Sequence, residues 1–474
     1  MPEYKLLING DWEASETTQE IKSPFDKSDV GKVHFAQKAQ MEEAVTSAYE
    51  AFAQTKKLSS FERAYALEKI SSGIKEKKEE LIQSIVLSAG KPIKYSRMEV
   101  ERAVNTFKIA SEEAKRIGGE VIPLDLSAQI KERWGLVRRF PLGVIGAITP
   151  FNFPINLVAH KVAPAFASGN TVVLRPSSQV AVTSLLLGEI INNTDYPFGG
   201  INIVPSGYEA AEVLLNDKRV KMLTFTGSPA IGWELKKKAY KKKVTLELGG
   251  NAAVVIEPDA DLEFALPRII LGSFSYSGQI CISIQRIFLH SKIYGRFMAN
   301  FVEATKKLKM GDPLKEDTDI GPMINITAAK QTEEWVSEAV EKGARIITGG
   351  KRDGAMFEPT ILENVAPELR ISWLEAFAPV VVVNRYEDFE EALKGVNYSI
   401  YGLQAGIFTH DLKKAFQAFE ALDVGGVIIN DIPTFRVDHM PYGGVKESGF
   451  GREGLKYAIE EMTEMKLMAI NLMN

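Results

Sequence analysis

Cys281 is the only cysteine among 474 residues, and it closes the string Gly278-Gln279-Ile280-Cys281. One thiol can form no intrachain disulfide and no multi-thiolate metal site. Two roles remain for it: a small buried apolar residue, or a nucleophile. Three other strings bear on that choice. Glu247 lies in Val244-Thr245-Leu246-Glu247-Leu248, where strand alternation puts its carboxyl on the face opposite the three apolar side chains. A carboxylate in an internal strand is costly unless it is paired structurally or used as a general base. Asn152, in Thr149-Pro150-Phe151-Asn152-Phe153-Pro154, offers either turn chemistry or an amide donor for an oxyanion. Gly227-Ser228-Pro229-Ala230-Ile231-Gly232 opens a helical stretch, as a simple N-cap or as a pyrophosphate seat. A thiol, a carboxylate base, an amide donor and a dinucleotide edge match the covalent oxidation of an aldehyde.

The elements that must hold these groups show in the rhythm of the chain. From residue 142, short apolar runs at 143–148, 171–174, 201–204, 221–225 and 244–248 alternate with helical stretches. A second series follows at 251–256, 284–290, 379–384, 403–407 and 424–430. Strands alternating with helices predict an α/β fold with parallel sheets covered on both faces. Ligands of such sheets gather beyond the carboxyl ends of the strands. Those ends carry Thr149-Pro150, Arg175-Pro176-Ser177-Ser178, Thr226-Gly227-Ser228 and Gly249-Gly250-Asn251, so they form one candidate cofactor edge. The first 120 residues read mostly as helices, over 40–55, 59–89 and 95–117. Segment 127–141 alternates and reads as an exposed arm. The terminal Lys466–Leu472 is a lone strand candidate that needs an edge, which this arm offers, in the same chain or in another subunit.

Composition excludes other classes. A net charge of −4 gives no field for nucleic acid. The lysines of 236–243 read as the solvated end of a helix. The five histidines are scattered, with none paired at metal-ligand spacing, so no metal is expected. No apolar run approaches a membrane span, and Met1-Pro2-Glu3-Tyr4-Lys5 leads into no signal-like segment, so a cytoplasmic enzyme is expected.

Over about residues 5 to 474 the chain resembles the aldehyde dehydrogenase superfamily, in its hydrolytic, NAD(P)-dependent branch. The resemblance rests on Thr149–Pro154, Leu246-Glu247-Leu248-Gly249-Gly250, Gly278–Cys281 with Arg286 following, Glu375-Ala376-Phe377-Ala378-Pro379, and Pro441-Tyr442-Gly443-Gly444-Val445-Lys446-Glu447-Ser448-Gly449. It implies Cys281 as nucleophile, Glu247 as the base for deacylation, and an oxyanion hole made by the Asn152 side chain and the Cys281 backbone N–H. Lys161 matches a family lysine near the active site. Cofactor contacts are implied for Thr149, Pro150, Phe151, Arg175, Ser177, Ser178, Gly227, Ser228, Leu248, Glu375 on the nicotinamide ribose, and Phe377 near the nicotinamide. The implied architecture has a Rossmann-like domain (1–119 and 142–249), an α/β catalytic domain (250–452) and a β arm (120–141 and 453–474) that builds homodimers or homotetramers.

Departures from the family pattern sharpen these expectations. The family's usual Lys-Pro-x-Glu reads Arg175-Pro176-Ser177-Ser178 here, so the glutamate that repels a 2′-phosphate is absent and NADP is expected over NAD, which remains possible. Ala378 stands where glycine is commoner. Glu247 favours water over CoA as acyl acceptor. Ile280 occupies a position where relatives acting on phosphorylated aldehydes often carry arginine. Phe435-Arg436-Val437-Asp438-His439-Met440-Pro441 is similar to relatives acting on lactaldehyde and glyceraldehyde, with Arg436 or His439 as donors to a substrate hydroxyl. The expected substrate is therefore a small hydroxylated aldehyde. The alternatives are an acidic semialdehyde such as succinate semialdehyde, or a non-catalytic binding protein on the same fold.

Overall fold

The structure, a computed structural model, describes residues 1–472. Five parallel strands, Val144–Ile148, Thr171–Arg175, Ile201–Ile203, Val220–Thr226 and Lys243–Glu247, form the centre of the first sheet. Their spatial order is fifth, fourth, first, second, third. The order reverses at Val144–Ile148, which opens a crevice beyond its carboxyl end. All five residues of that strand are buried, as expected for a parallel strand covered on both faces. Antiparallel strands finish both edges. Leu6–Ile8 and Asp11–Glu13 extend the side of Ile201–Ile203, and Gly449–Phe450 pairs beside Lys243–Glu247 with Gly449 opposite Glu247.

The second sheet runs Arg345–Thr348, Thr360–Glu363, Val380–Tyr386, Ile284–His290, Ala252–Ile256, Gln404–Phe408, Gly426–Ile429, and only the first of these is antiparallel to its neighbour. A third, antiparallel sheet joins Gly119–Pro123, Arg133–Pro141 and Thr463–Asn471. The terminal strand finds its edge within its own chain, Thr463 lying opposite Pro141 and Asn471 opposite Arg133. Positions 473–474 of the expected arm lie outside the described residues.

The helices are Lys38–Thr55, Ser60–Glu76, Lys78–Ala89 and Ile93–Ala114 before the parallel strands of the first sheet, then those between the strands. The single stretch expected over 59–89 is two helices, because Lys77 leaves helical geometry (φ −92°, ψ 19°). The second begins from a reciprocal cap in which Ser59 and Glu62 satisfy each other's backbone N–H. Residues 1–35 hold five short strands. Lys236, Lys237 and Lys238 end the helix Pro229–Lys238, where cations complement its dipole. No helix among the described residues is long and apolar enough to cross a membrane.

Candidate active site

Glu247 is the last residue of its strand, and Gly249 and Gly250 follow at the point where three elements meet. A Cβ on Gly249 would lie 2.4 Å from Glu375 Oε2, and one on Gly250 would lie 2.5 Å from the Cys281 carbonyl oxygen. Only glycines allow this approach. Cys281 arrives from the helix Leu262–Phe274 through a turn in which Tyr276, Ser277 and Gly278 are left-handed (φ 48°, 54° and 67°). For the two non-glycine residues such a conformation costs about 1–3 kcal/mol each. Surrounding contacts hold it: Ser277 Oγ donates to the Gly321 carbonyl (2.7 Å), and the Gln279 side-chain carbonyl accepts the Ile324 N–H (2.8 Å). A Cβ on Gly278 would strike the Ala378 carbonyl at 2.1 Å, so the nucleophile turn sits directly on the loop carrying Glu375 and Phe377.

Asn152 is buried and its Nδ2 donates to the Gln279 carbonyl (3.0 Å), two residues before the thiol. That bond fixes the amide's orientation and leaves a second Nδ2 proton, while Oδ1 has no protein partner. Both Glu247 oxygens are buried without a protein partner. Burial, reinforced by the neighbouring Glu453 carboxylate, raises the Glu247 pKa well above the ordinary value. Burial pushes the Cys281 thiol up to about 12, opposed by a hydrogen bond between Sγ and Tyr442 Oη (3.1 Å). In the resting site both the nucleophile and the base are therefore held toward their neutral forms, and each becomes reactive when charge on it is stabilised.

The crevice edge carries the remaining expected residues. Thr149 is buried and its N–H donates to the Arg175 carbonyl (3.2 Å), which joins the ends of adjacent strands. Pro150 is half-buried, and Phe151 meets Phe377 edge-on at 5.9 Å. Arg175 Nε and Nη2 donate to the Ser206 carbonyl (3.1 and 2.9 Å), and its guanidinium lies 5.5 Å from the Tyr208 ring centroid. Ser177 and Ser178 begin the short turn after it. The Gly227 N–H donates to the Glu247 carbonyl (3.0 Å), and the Leu248 N–H to the Ser448 carbonyl (3.0 Å). Ser228 precedes the helix Pro229–Lys238 without capping it through its side chain. Glu375 accepts the Gly250 N–H (3.1 Å), and burial raises its pKa to about 7. These residues fit a dinucleotide. Free amides at a helix start suit a pyrophosphate, the Gly249–Glu375 cradle suits ribose hydroxyls, and the unpartnered Thr226 Oγ1 offers a further polar contact.

Comparison with known proteins agrees with this geometry. The profile of the aldehyde dehydrogenase family matches residues 12–468. The chain belongs to the aldehyde dehydrogenase family. It is 45% identical over 471 residues to the 3-sulfolactaldehyde dehydrogenase of Priestia megaterium, covering 99% of this chain and 98% of that one. The crystal structure of aldehyde dehydrogenase 21 from Physcomitrella patens, in complex with the reaction product succinate, superposes with a TM-score of 0.98. It is 44% identical, with 100% of this chain and 99% of that one covered. The glyceraldehyde-3-phosphate dehydrogenase GapN from Methanocaldococcus jannaschii, complexed with NADP, gives a TM-score of 0.92 at 41% identity, covering 96% of this chain and 100% of that one. The protein is thus an NAD(P)-dependent aldehyde dehydrogenase acting on aldehyde substrates.

Around the thiol of this aldehyde dehydrogenase, Glu453, Asp438, His160, Lys91 and Glu99 went unread as site residues in the sequence, whereas Lys161 and Arg436 were expected there. Lys161 does not point freely into the site; its ammonium is buried against Glu453 (3.0 Å) and Thr224 Oγ1 (3.1 Å). Glu453 also takes Arg436 Nη2 (3.0 Å). Despite burial, Lys161, His160 and Arg436 hold Glu453 well below the usual carboxylate range. Asp438 accepts from His160 (2.8 Å) and from Arg102, which keep it ionised against the same penalty. Of the two donors expected in 435–441, Arg436 has a buried side chain within the cluster, whereas His439 is exposed. Lys91 and Glu99 form a fully buried pair at 2.5 Å. The Lys91 ammonium lies 3.8 Å from the Phe153 ring and 4.4 Å from the Tyr276 ring, so it joins the loop of Asn152 to the turn of Cys281. Glu99 also accepts the Ile155 N–H (3.0 Å) at the start of the helix Asn156–Ala167. The signal available for Glu99 was a carboxylate on the apolar face of its own helix.

Proposed function

We propose that the enzyme oxidises a short, hydroxylated aldehyde whose far end carries a sulfonate or carboxylate, and that it prefers NADP. The observation that carries the substrate reading is a surplus of positive charge in the side-chain cluster that reaches the thiol through Tyr442. Arg102, Lys161 and Arg436 face only two ionised carboxylates, Glu453 and Asp438, because Glu247 is held toward its neutral form. Arg436 Nε is buried without a partner, and the guanidinium stacks 3.5 Å from the ring of Tyr442, whose hydroxyl touches Cys281. A buried guanidinium N–H without an acceptor is expensive, and an anionic substrate tail would satisfy it. The names of the relatives support the same class, one being a sulfolactaldehyde dehydrogenase and another having been crystallised with succinate. The succinate complex favours a second reading, a semialdehyde without a hydroxyl.

In this reading Cys281 Sγ, having lost its proton, bonds to the carbonyl carbon while the π pair moves to oxygen. Asn152 Nδ2–H and the Cys281 N–H stabilise that oxyanion, a contribution of about 10²–10³ in rate per donor. Phe151, Phe377 and Glu375 would hold a nicotinamide cofactor, which when bound would supply the acceptor for the hydride that leaves the adduct. Cys281 is then left holding the acyl group as a thioester. Glu247 takes a proton from water, the water oxygen bonds to the acyl carbon, the C–S bond breaks and the acid leaves. NADP preference rests on Arg175, whose guanidinium is fixed at a strand end with no neighbouring carboxylate at Ser178. We also assign the three-part domain division expected from the sequence, with homo-oligomer assembly through the third sheet, where Val121, Trp134, Met465, Leu467 and Met468 are exposed.

The test is a panel of sulfolactaldehyde, succinate semialdehyde, lactaldehyde and glyceraldehyde with both cofactors. The anionic aldehydes should exceed lactaldehyde in kcat/KM by at least about tenfold, the worth of one charge-assisted hydrogen bond. Lactaldehyde matching them would overturn the reading, and succinate semialdehyde outrunning sulfolactaldehyde would select the second one.

A further inference from the structure

Tyr442 lies 161 positions along the chain from Cys281, yet its hydroxyl is the one hydrogen-bond partner of the thiol among the described residues. The phenol is fully buried, and Ile282 and Leu403 pack beside it in the same apolar cluster. Its hydroxyl is fixed on the sulfur from one side, while the Arg436 guanidinium covers its ring at 3.5 Å. Arg436 is in turn held by Glu453 and by His160 Nδ1 (3.0 Å each). The ring therefore has almost no freedom to leave the sulfur. A cation over a phenol face draws electron density from the ring and makes its O–H a stronger donor.

We propose that Tyr442 is a further catalytic residue: its hydroxyl donates to Cys281 Sγ as the sulfur takes on negative charge, and the stacked Arg436 strengthens that donation. The step needs no external reagent. The thiol proton leaves to solvent, the sulfur lone pair becomes the nucleophile, and the Tyr442 proton stays on its oxygen throughout, shared with the sulfur. When the sulfur bonds to the aldehyde carbon its negative charge is gone and the hydrogen bond weakens; when the thioester breaks, the leaving thiolate receives it again. Tyr442 thus acts both on attack and on release. The direction of the electrostatics agrees: the tyrosine contact opposes the effect of burial on the thiol, and Arg436 lowers the phenol's own pKa against burial. The proposal rests on Cys281 being the nucleophile.

The test compares wild type with Tyr442→Phe, which keeps the ring, its packing and the Arg436 stack. The rate of Cys281 alkylation by iodoacetamide is followed from pH 7 to 10, alongside NADP binding by fluorescence. Losing one charge-assisted hydrogen bond should raise the thiol pKa by about one unit, or tenfold in thiolate. The more basic thiolate is intrinsically more nucleophilic, with a Brønsted slope of about 0.4–0.5, so the net slowing is about threefold at every pH below the pKa. Steady-state kcat should fall at least as much, with NADP affinity unchanged. Superimposable alkylation profiles would overturn the role of Tyr442, as would a loss of NADP binding parallel to the loss of rate. If stoichiometric alkylation of Cys281 in the wild type leaves turnover intact, the nucleophile assignment itself is wrong, which separates the two failures.

Discussion

Replacing Glu247 by Gln separates the base from everything else in the site. Both carboxyl oxygens are buried and unpartnered, so the substitution breaks no hydrogen bond with protein and changes no volume. What it removes is the ability to accept a proton from water. A positioned general base contributes about 10²–10⁴ in rate, or about 3–5 kcal/mol of barrier at 1.36 kcal/mol per decade. Addition of Cys281 and oxidation of the adduct do not need that base, so the variant should release about one equivalent of reduced cofactor per site and then stall, with the acyl group on Cys281 visible by intact mass. Stopped-flow absorbance at 340 nm measures the burst and the steady state together. The same variant tests the electrostatics of the resting site. Glu247 has a folded-state pKa raised by burial and by Glu453, so its contribution to stability is fully present below the ordinary carboxyl pKa and is lost as pH rises through the raised value. Within that window the wild type should lose about 1.4 kcal/mol per pH unit relative to the Gln variant. Groups common to both proteins cancel in the difference. Parallel stability curves would refute the raised pKa. Continued turnover at the wild-type rate would refute the base, and a stall without any burst would place the block before oxidation.

Two further outcomes follow from the same structure. Ser178→Glu places a carboxylate within the Arg175 pocket, so the KM for NADP should rise by at least about tenfold while that for NAD stays level or falls; an unchanged NADP KM would contradict the phosphate role of Arg175. Glu99→Ala strands the buried Lys91 ammonium and frees the Ile155 N–H, so urea unfolding should show a loss of about 3–5 kcal/mol; a loss under about 1 kcal/mol would show that Lys91 is neutral or has found another partner.

What the sequence disclosed and what it withheld follow from one physical distinction. The strands of both parallel sheets were legible because burial on two faces makes short apolar runs, as in Val144–Ile148 and Ala252–Ile256. The edge strand Arg345–Thr348 and its inner neighbour Thr360–Glu363 were missed, the first because it is half-exposed and carries no such run. Cys281, Glu247 and Asn152 stood out because each is an isolated reactive side chain beside glycines or prolines at a strand end, and the structure brings all three to one point. Lys161 and Arg436 were each expected near the site, but the network that joins them was not legible, for the opposite reason. Tyr442, Arg436 and Glu453 come from the segment that crosses from the second sheet back to the edge of the first, and their partners His160 and Lys161 lie on the helix after Asn152, more than 270 residues earlier. No local spacing encodes such a contact; it exists because Gly449 pairs with Glu247 and draws the crossing segment over the base. Burial keeps the thiol and the acid neutral side by side, and Arg436, brought over them by that pairing, opposes burial at both groups. The surrounding charges come from both halves of the chain and are locked to one another, Lys161 to Glu453 and Arg102 to Asp438, before any substrate arrives. Within this cluster Arg436 Nε is buried without a partner, so an anion arriving there would satisfy it and shift the charge balance near the sulfur.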